Sequence, residues 1–530
     1  MDIVQKIDFY SKDVEALKAL RVKEIRVLWD QTIDIAFGNI EEKGGGGANR
    51  VNAFLLVFKL GTIVKDKIDK PRLEHLIYRA SQEVILGKNL IMLDIIFSII
   101  LDKRFTLNEK WNVYWWFMLL DSYHNIQYNN NPYLIYKNIM NSLRNKMPFS
   151  YNYIAVEERN KVIVITTSQF LSKIHAPSRR VMDYAYNIKK TLGIEVIVVN
   201  DRLLNFEVWP KLIGMHRMVY SPNFEGLPRL TYYDEKFPFL QIEGEMPDEN
   251  RIFELVNRIY NTKPLLVYNI GASNLVTDLC RSFTATATMP CSTNLPNTNS
   301  EYVILNRKLA APDQDLLQYY DSGQKVIETV VGYNMEACTD TFRHTREEFG
   351  LTDNDFVISI VGTRLFSEVN DDFIKIIQTI INDSDTHILL VGKTKDLDKK
   401  IQVNQKHEHQ LHFLTSNSAN QIIGFSDLYL NPPRNGGGRS SFEALFLEIP
   451  VITLNHGDVY NTCGDDFAIT SLEEIIPLYK KYKDDAKFRG IQKEKATKRA
   501  SELADIGEVQ KKVIEQILQY EKEKEANGAN

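Results

Sequence analysis

From Lys161 to Val459 the chain returns repeatedly to one alternation: a short aliphatic and β-branched run, a loop, then an amphipathic stretch. The first series reads "KVIVITTSQF", "SRRVMDYAYNIKKTLG" and "IEVIVVND", and continues with "PLLVYNIGAS", "NLVTDLCRSF" and "TATATM". Runs that are apolar at nearly every position are strands buried on both faces, and strands interleaved with helices pair in parallel. A second series follows "GYNMEACTDTFRHTREEFGLTDNDF" with "VISIVGTRLF", "NDDFIKIIQTIIND", "THILLVGKTKD", "LHFLT", "SANQIIGFS", "DLYLNPPRNGGG", "RSSFEALFLE" and "IPVITLNHGDV". Two such series, each about 150 to 180 residues long, predict two doubly wound α/β domains facing a cleft, not one enlarged sheet. Within the first series, the stretch between "IEVIVVND" and "PLLVYNIGAS", with "KLIGMHRMVY" and "FPFLQIEG", reads as β-rich.

Ahead of this lies a region of different texture, where "VEALKALRVKEIRVLWDQTIDIAF" repeats apolar positions at helical spacing. Three domains are therefore expected in 530 residues: an all-α domain over 1–155, a first α/β domain over 156–330, and a second over 331–530 with its terminal helices. The glycines Gly44 to Gly47 read as a flexible loop or an engineered replacement, since no strand precedes them and no Lys-Ser/Thr follows. "NLIMLDIIFSIILDKRF" is broken by Asp94 and falls short of the roughly 20 apolar residues of a membrane-spanning helix, so a buried helix is expected.

A net charge of -5, from 64 basic and 69 acidic residues, gives no general attraction to nucleic acid, and the mixed-sign terminal stretch reads as a solvated face. Any anion site has to be local. Four scattered cysteines and a start without a basic, apolar leader are the expectation for a cytoplasmic protein with reduced thiols.

The candidate site is "NPPRNGGGRSSFE". Arg434, Asn435, Gly436, Gly437, Gly438 and Arg439 follow a short strand, and Ser440 and Ser441 start a helix. Glycines admit close backbone approach, helix-initial amides carry a positive partial charge, and arginines add donors suited to phosphate. Arg364 after "VISIVG" and Lys393 after "HILLVG" leave the same sheet edge, so four cations from three loops are expected around one diphosphate. Glu443, one turn into the helix, suits ribose hydroxyls, or equally serves as an N-terminal acid favoured by the helix dipole. On the first α/β domain, "TTSQFLSKIHAPSRR" carries Ser168, Ser172, His175 and Arg179 toward the cleft. His175 fits a general base or a helix-capping residue, and Gly271 in "YNIGASN" fits a backbone site or a simple turn. His407, His409 and His412 are not read as a metal site, because they lead into a short strand.

These residues resemble the donor-binding signature of GT-B glycosyltransferases, in "NPPRNGGGRSSFEALFLEIPVIT" together with "VGTRL", "LLVGKTK" and "GDV". The resemblance spans residues 355–510 by motif and 160–330 by pattern. It implies a GT-B fold, two Rossmann-like domains facing a cleft, and a nucleotide-diphosphate sugar donor, UDP-sugar foremost, with no metal and no separate cofactor. By the same carry-over Arg364 and Lys393 hold the diphosphate catalytically, Arg439 and the amides of Gly437 to Ser441 assist, Thr415 lies near the base, and Asp458 joins the donor side. Many retaining members carry two glutamates with seven residues between them; Glu443 matches the second, and Asn435 stands at the first. The helical region before a GT-B core is similar to bacterial protein glucosyltransferases related to O-GlcNAc transferase, although no 34-residue repeat is evident in it. The resemblance thus implies sugar transfer, hexosyl or N-acetylhexosaminyl, to a glycan or protein acceptor. The alternatives are an inactive GT-B-like binding or chaperone subunit and a nucleotide-sugar epimerase.

Overall fold

The computed structural model describes residues 2–37, 47–124, 126, 132–173, 175–215, 220–334, 345–382, 386–394, 396–415, 419–434 and 436–528. Gly44 to Gly46 and Asn435 lie outside the described residues, and the helix Gly47–Thr62 begins at the last glycine of the tract.

Among the described residues, fourteen strands form two sheets. The first holds β1 (Asn160–Thr167), β2 (Glu195–Asn200), β3 (Arg229–Tyr232), β4 (Glu235–Gln241), β5 (Pro264–Ile270), β6 (Thr286–Met289), β7 (Tyr302–Leu305) and β8 (Lys325–Glu328). Their order is β3-β4-β2-β1-β5-β6-β7-β8, parallel except for the β3/β4 hairpin at the edge. "FPFLQIEG" supplies β4, whereas residues 211–215 of the neighbouring apolar stretch form turns and not a strand. The second sheet holds β9 (Phe356–Gly362), β10 (Thr386–Gly392), β11 (Leu411–Leu414), β12 (Leu428–Leu430), β13 (Val451–Leu454) and β14 (Ala468–Ile469). It is parallel throughout, in the order β11-β10-β9-β12-β13-β14.

The continuous apolar runs follow from burial on both faces. Along β1, Ile163 and Ile165 enter one core while Val164 enters the other; along β9, Ile358 and Ile360 oppose Val357 and Val361 in the same way. The helical region shares its core with the first sheet: Trp29, Trp111 and Trp116 belong to the cluster that holds Val164, Val199 and Val267. Polar contacts fix the docking, with Trp111 Nε1 donating to the Leu203 carbonyl at 2.7 Å and the Tyr136 hydroxyl to buried Asp278 at 2.6 Å. The helix Ile91–Ile100 is buried, and among the described residues no helix is long and apolar enough to cross a membrane.

The chain passes between the sheets twice. Gly332 runs against Ile506, where an added Cβ would meet the Ile506 Cα at 2.8 Å, and Asn334 bridges Asp505. The last helix, Ile506–Ala526, was expected with the second sheet; instead its Val513, Ile514 and Ile517 pack into the core of the first. Its apolar stripe meets the helix Ala176–Leu192 and the exposed face of that sheet, which would otherwise stay wet.

At the far edge of the second sheet, the His387 and His412 rings stack with Nδ1 and Nε2 3.1 Å apart, and His409 lies 6.0 Å from His387. Burial lowers the proton affinity of both, His412 to about 4. A histidine whose folded pKa lies below its unfolded value of 6.5 binds more protons when unfolded, so its contribution to stability is lost as pH falls from 6.5 toward 4. Denaturant midpoints should drop across that window, and His412→Gln should flatten the drop.

Candidate functional site

The order in which strands are added to the second sheet reverses between β9 and β12, with β10 and β11 built outward on one side and β13 and β14 on the other. Ligands of open α/β sheets collect outside the carboxyl ends at such a reversal. Arg364 leaves β9 there, and the loop carrying Arg434 to Gly438 leaves β12. A cavity of about 550 Å³ opens at this point and is closed on its other side by the first sheet's loops.

Gly437 of this loop makes room for one buried arginine. Arg434, with 4% of its side chain exposed, donates from Nε to Asn431 at 2.7 Å, from Nη1 to Glu368 at 3.0 Å and from Nη2 to the Tyr429 hydroxyl at 3.0 Å. Gly437 has φ +105°, and a Cβ there would meet the same guanidinium at 2.6 Å. Gly438 opens the helix Gly438–Phe446 against Tyr333 and Thr462, where a Cβ would approach within 3.0 and 2.8 Å. The Ser440 hydroxyl joins Tyr429 at 2.8 Å and the Gly437 carbonyl at 3.0 Å, and buried Ser441 bonds the Gly438 carbonyl.

The expected cations therefore divide by what they already hold. Arg434 spends its donors on the protein. Arg439 donates to Glu443 at 3.0 Å and reaches across the cleft toward Asp183 at 3.8 Å. Arg364 gives only Nε to Glu368, at 3.2 Å, and its two terminal nitrogens make no hydrogen bond to the described residues; its side chain is 69% exposed, over Gly436. Lys393 is exposed just past β10 and does not line the cavity, although Gly392 does. Glu443 lines the cavity; burial raises its carboxyl above the usual range, against the pull of Arg439 and Arg179.

From the first sheet, Arg179 and Arg180 reach the cavity on the first turn of the helix Ala176–Leu192, and neither forms a salt bridge among the described residues. Ser292, Thr293 and Asn306, from the loops after β6 and β7, complete that wall. Of the acceptor-side candidates, Arg179 lines the cavity, whereas Ser168, Ser172, His175 and Gly271 do not. The His175 ring is turned to Ser178 Oγ at 2.9 Å at the helix start, the Ser172 hydroxyl accepts from the His175 amide, Ser168 accepts from Asn274, and the Gly271 amide donates to the Met289 carbonyl. Thr415 is exposed beyond β11; nearby Ala419 lines the cavity instead. Asn435 lies outside the described residues, and Asp458 stands in the wall.

Arg180 and Glu368 went unmarked in the sequence reading. The signal for Arg180 was its place beside Arg179 at a helix start after β1; for Glu368, the Arg-to-Glu spacing of four after β9. Among the described residues, no group of three or more His, Cys, Asp and Glu side chains is arranged to hold a metal ion.

No family model matches the sequence, and no curated protein matches it. Among solved structures, a mutant of Thermobaculum terrenum O-GlcNAc transferase matches 98% of this chain and 98% of its own, with a TM-score of 0.53 at 11% identity. A glycosyltransferase from Rickettsia africae ESF-5 covers 68% of this chain and 99% of its own, with a TM-score of 0.49 at 14% identity. Anabaena HepE in complex with UDP and glucose covers 67% and 98%, with a TM-score of 0.47 at 14% identity. The fold is thus GT-B: two Rossmann-like domains about a cleft, behind an all-α region. The likeness to the Thermobaculum protein extends over almost the whole length of both chains, the helical region included.

Proposed function

We propose that the chain is a glycosyltransferase whose donor is a nucleotide-diphosphate sugar, a UDP-sugar foremost, and whose acceptor is a glycan or protein hydroxyl. The observation that carries this reading is the convergence of Arg364, Arg179 and Arg180, from both α/β domains, on one cavity at the strand ends. Their guanidinium donors are not consumed by carboxylates to the extent that those of Arg434 and Arg439 are. Three such cations and the amides at the start of the helix Gly438–Phe446 match the charge that a diphosphate leaving group develops, and stabilising that charge supplies rate without a metal. Glu443 is assigned the ribose hydroxyls.

Calorimetry with UDP, UDP-glucose and UDP-N-acetylglucosamine tests the reading: binding of UDP together with its release from one of the sugars supports it, and no binding sinks it. Binding without release would instead fit a subunit that recognises but does not turn over. Glu443→Gln should weaken UDP about tenfold, the worth of a charged hydrogen bond, while the melting temperature stays in place. A fall in melting temperature with affinity intact would make Glu443 a purely structural acid.

A further inference from the structure

Three carboxylates stand in the cavity wall among the described residues, Glu368, Glu443 and Asp458. Glu368 is bonded to Arg364 and Arg434, and Glu443 to Arg439. Asp458 differs. It follows β13 through Gly457, at φ +81°, and its backbone carbonyl accepts from the Thr462 hydroxyl at 2.8 Å. Its carboxylate makes no hydrogen bond and no ion pair within 4.0 Å to the described residues, yet it is more than half withdrawn from water.

The other groups able to take a proton are turned away or held protonated. Among the described residues no histidine lines the cavity, and His175 is turned to Ser178. Burial pushes the Cys291 thiol up and the Tyr333 hydroxyl up to about 12. We infer that Asp458 is the general base of the transfer, an assignment that rests on the donor reading above. The acceptor oxygen gives its proton to the Asp458 carboxylate and forms a bond to the sugar's anomeric carbon. The bond from that carbon to the β-phosphate oxygen breaks, and its electron pair stays on the diphosphate beside Arg364.

The charges around Asp458 couple this step to donor binding. Arg180 faces it from the first domain, Arg364 and Arg434 from the donor loops, and the neutral Tyr333 and Cys291 from the wall. Burial raises the carboxyl to about 6 and the three arginines oppose that rise. A bound diphosphate draws on Arg364 and Arg180, so their pull on Asp458 weakens and the base strengthens once the donor is in place.

The test follows UDP release from UDP-glucose and UDP-N-acetylglucosamine, with water as acceptor, from about pH 4.5 to 8.5. For the wild type the rate should climb through the titration of one acid and level off. Asp458→Asn should lower the plateau about 100-fold or more, abolish that limb, and leave UDP affinity within about threefold. Asp458→Glu, which keeps a carboxylate, should retain the limb, and guards against a variant that merely misfolds. A wild-type rate or a persisting limb in Asp458→Asn overturns the assignment. So does a loss of UDP affinity matching the loss of rate, and so does a wild type that binds UDP but releases none from either sugar. Failure of the wild type to bind UDP at all overturns the donor reading beneath it and takes this assignment with it.

Discussion

Glu521→Ala should destabilise the protein by about 3–5 kcal/mol, the cost of leaving a buried charge without its partner. The Glu521 and Arg159 side chains are both 0% exposed and 2.7 Å apart, so the carboxylate's removal strands a guanidinium where water cannot reach it. The Tyr153 and Tyr302 hydroxyls, at 2.6 and 2.9 Å from Glu521, lose their acceptor as well. The pair ties the last helix, from the far end of the sequence, to the entrance of β1, and that helix covers one face of the first sheet. A shift of the urea midpoint to lower concentration is the expected reading, with only a small part recovered in Glu521→Gln, which keeps one acceptor oxygen but not the charge that Arg159 needs. An unchanged midpoint would mean that the helix contributes little to holding the sheet.

Arg364→Ala should weaken UDP binding roughly 10- to 100-fold, as expected for one or two charge-assisted hydrogen bonds to phosphate, and leave the melting temperature nearly unchanged. The structural cost is small because the side chain is 69% exposed and holds only one bond, to a Glu368 that Arg434 also satisfies. Two neighbouring substitutions make the contrast. Lys393→Ala should alter affinity less than about threefold, since the side chain stands outside the cavity. Arg434→Ala should act chiefly on stability, because it removes three hydrogen bonds from the loop and leaves Glu368 underpaired. Calorimetry and thermal melts on the three variants separate these effects, and equal losses of affinity in all three would contradict the division.

Much of the architecture was written in local pattern. β1 and β9 were recognisable because both of their faces are buried, and the loop after β12 because only glycine tolerates the approach of Arg434 to Gly437. What could not be read was pairing across distance. Nothing in the terminal helix's own periodicity distinguishes the first sheet from the second as its partner, yet Val513 and Ile517 settle on the first. The division of labour among the arginines was equally hidden. Arg364, Arg434 and Arg439 are alike as residue types after strands, and only Glu368 and Glu443 determine which of them keeps donors for a ligand. His175 sat at a suitable place in the sequence, but its helix directs the ring to Ser178 while Arg179 and Arg180 turn to the cavity.

The most direct measurement is a crystal structure of the protein with UDP bound. The account predicts a diphosphate beside the terminal nitrogens of Arg364 and the first amides of the helix Gly438–Phe446, with ribose at Glu443 and the Asp458 carboxylate left open toward the first domain. A diphosphate bound elsewhere, or one held by Lys393 and solvent with Arg364 turned away, would contradict it.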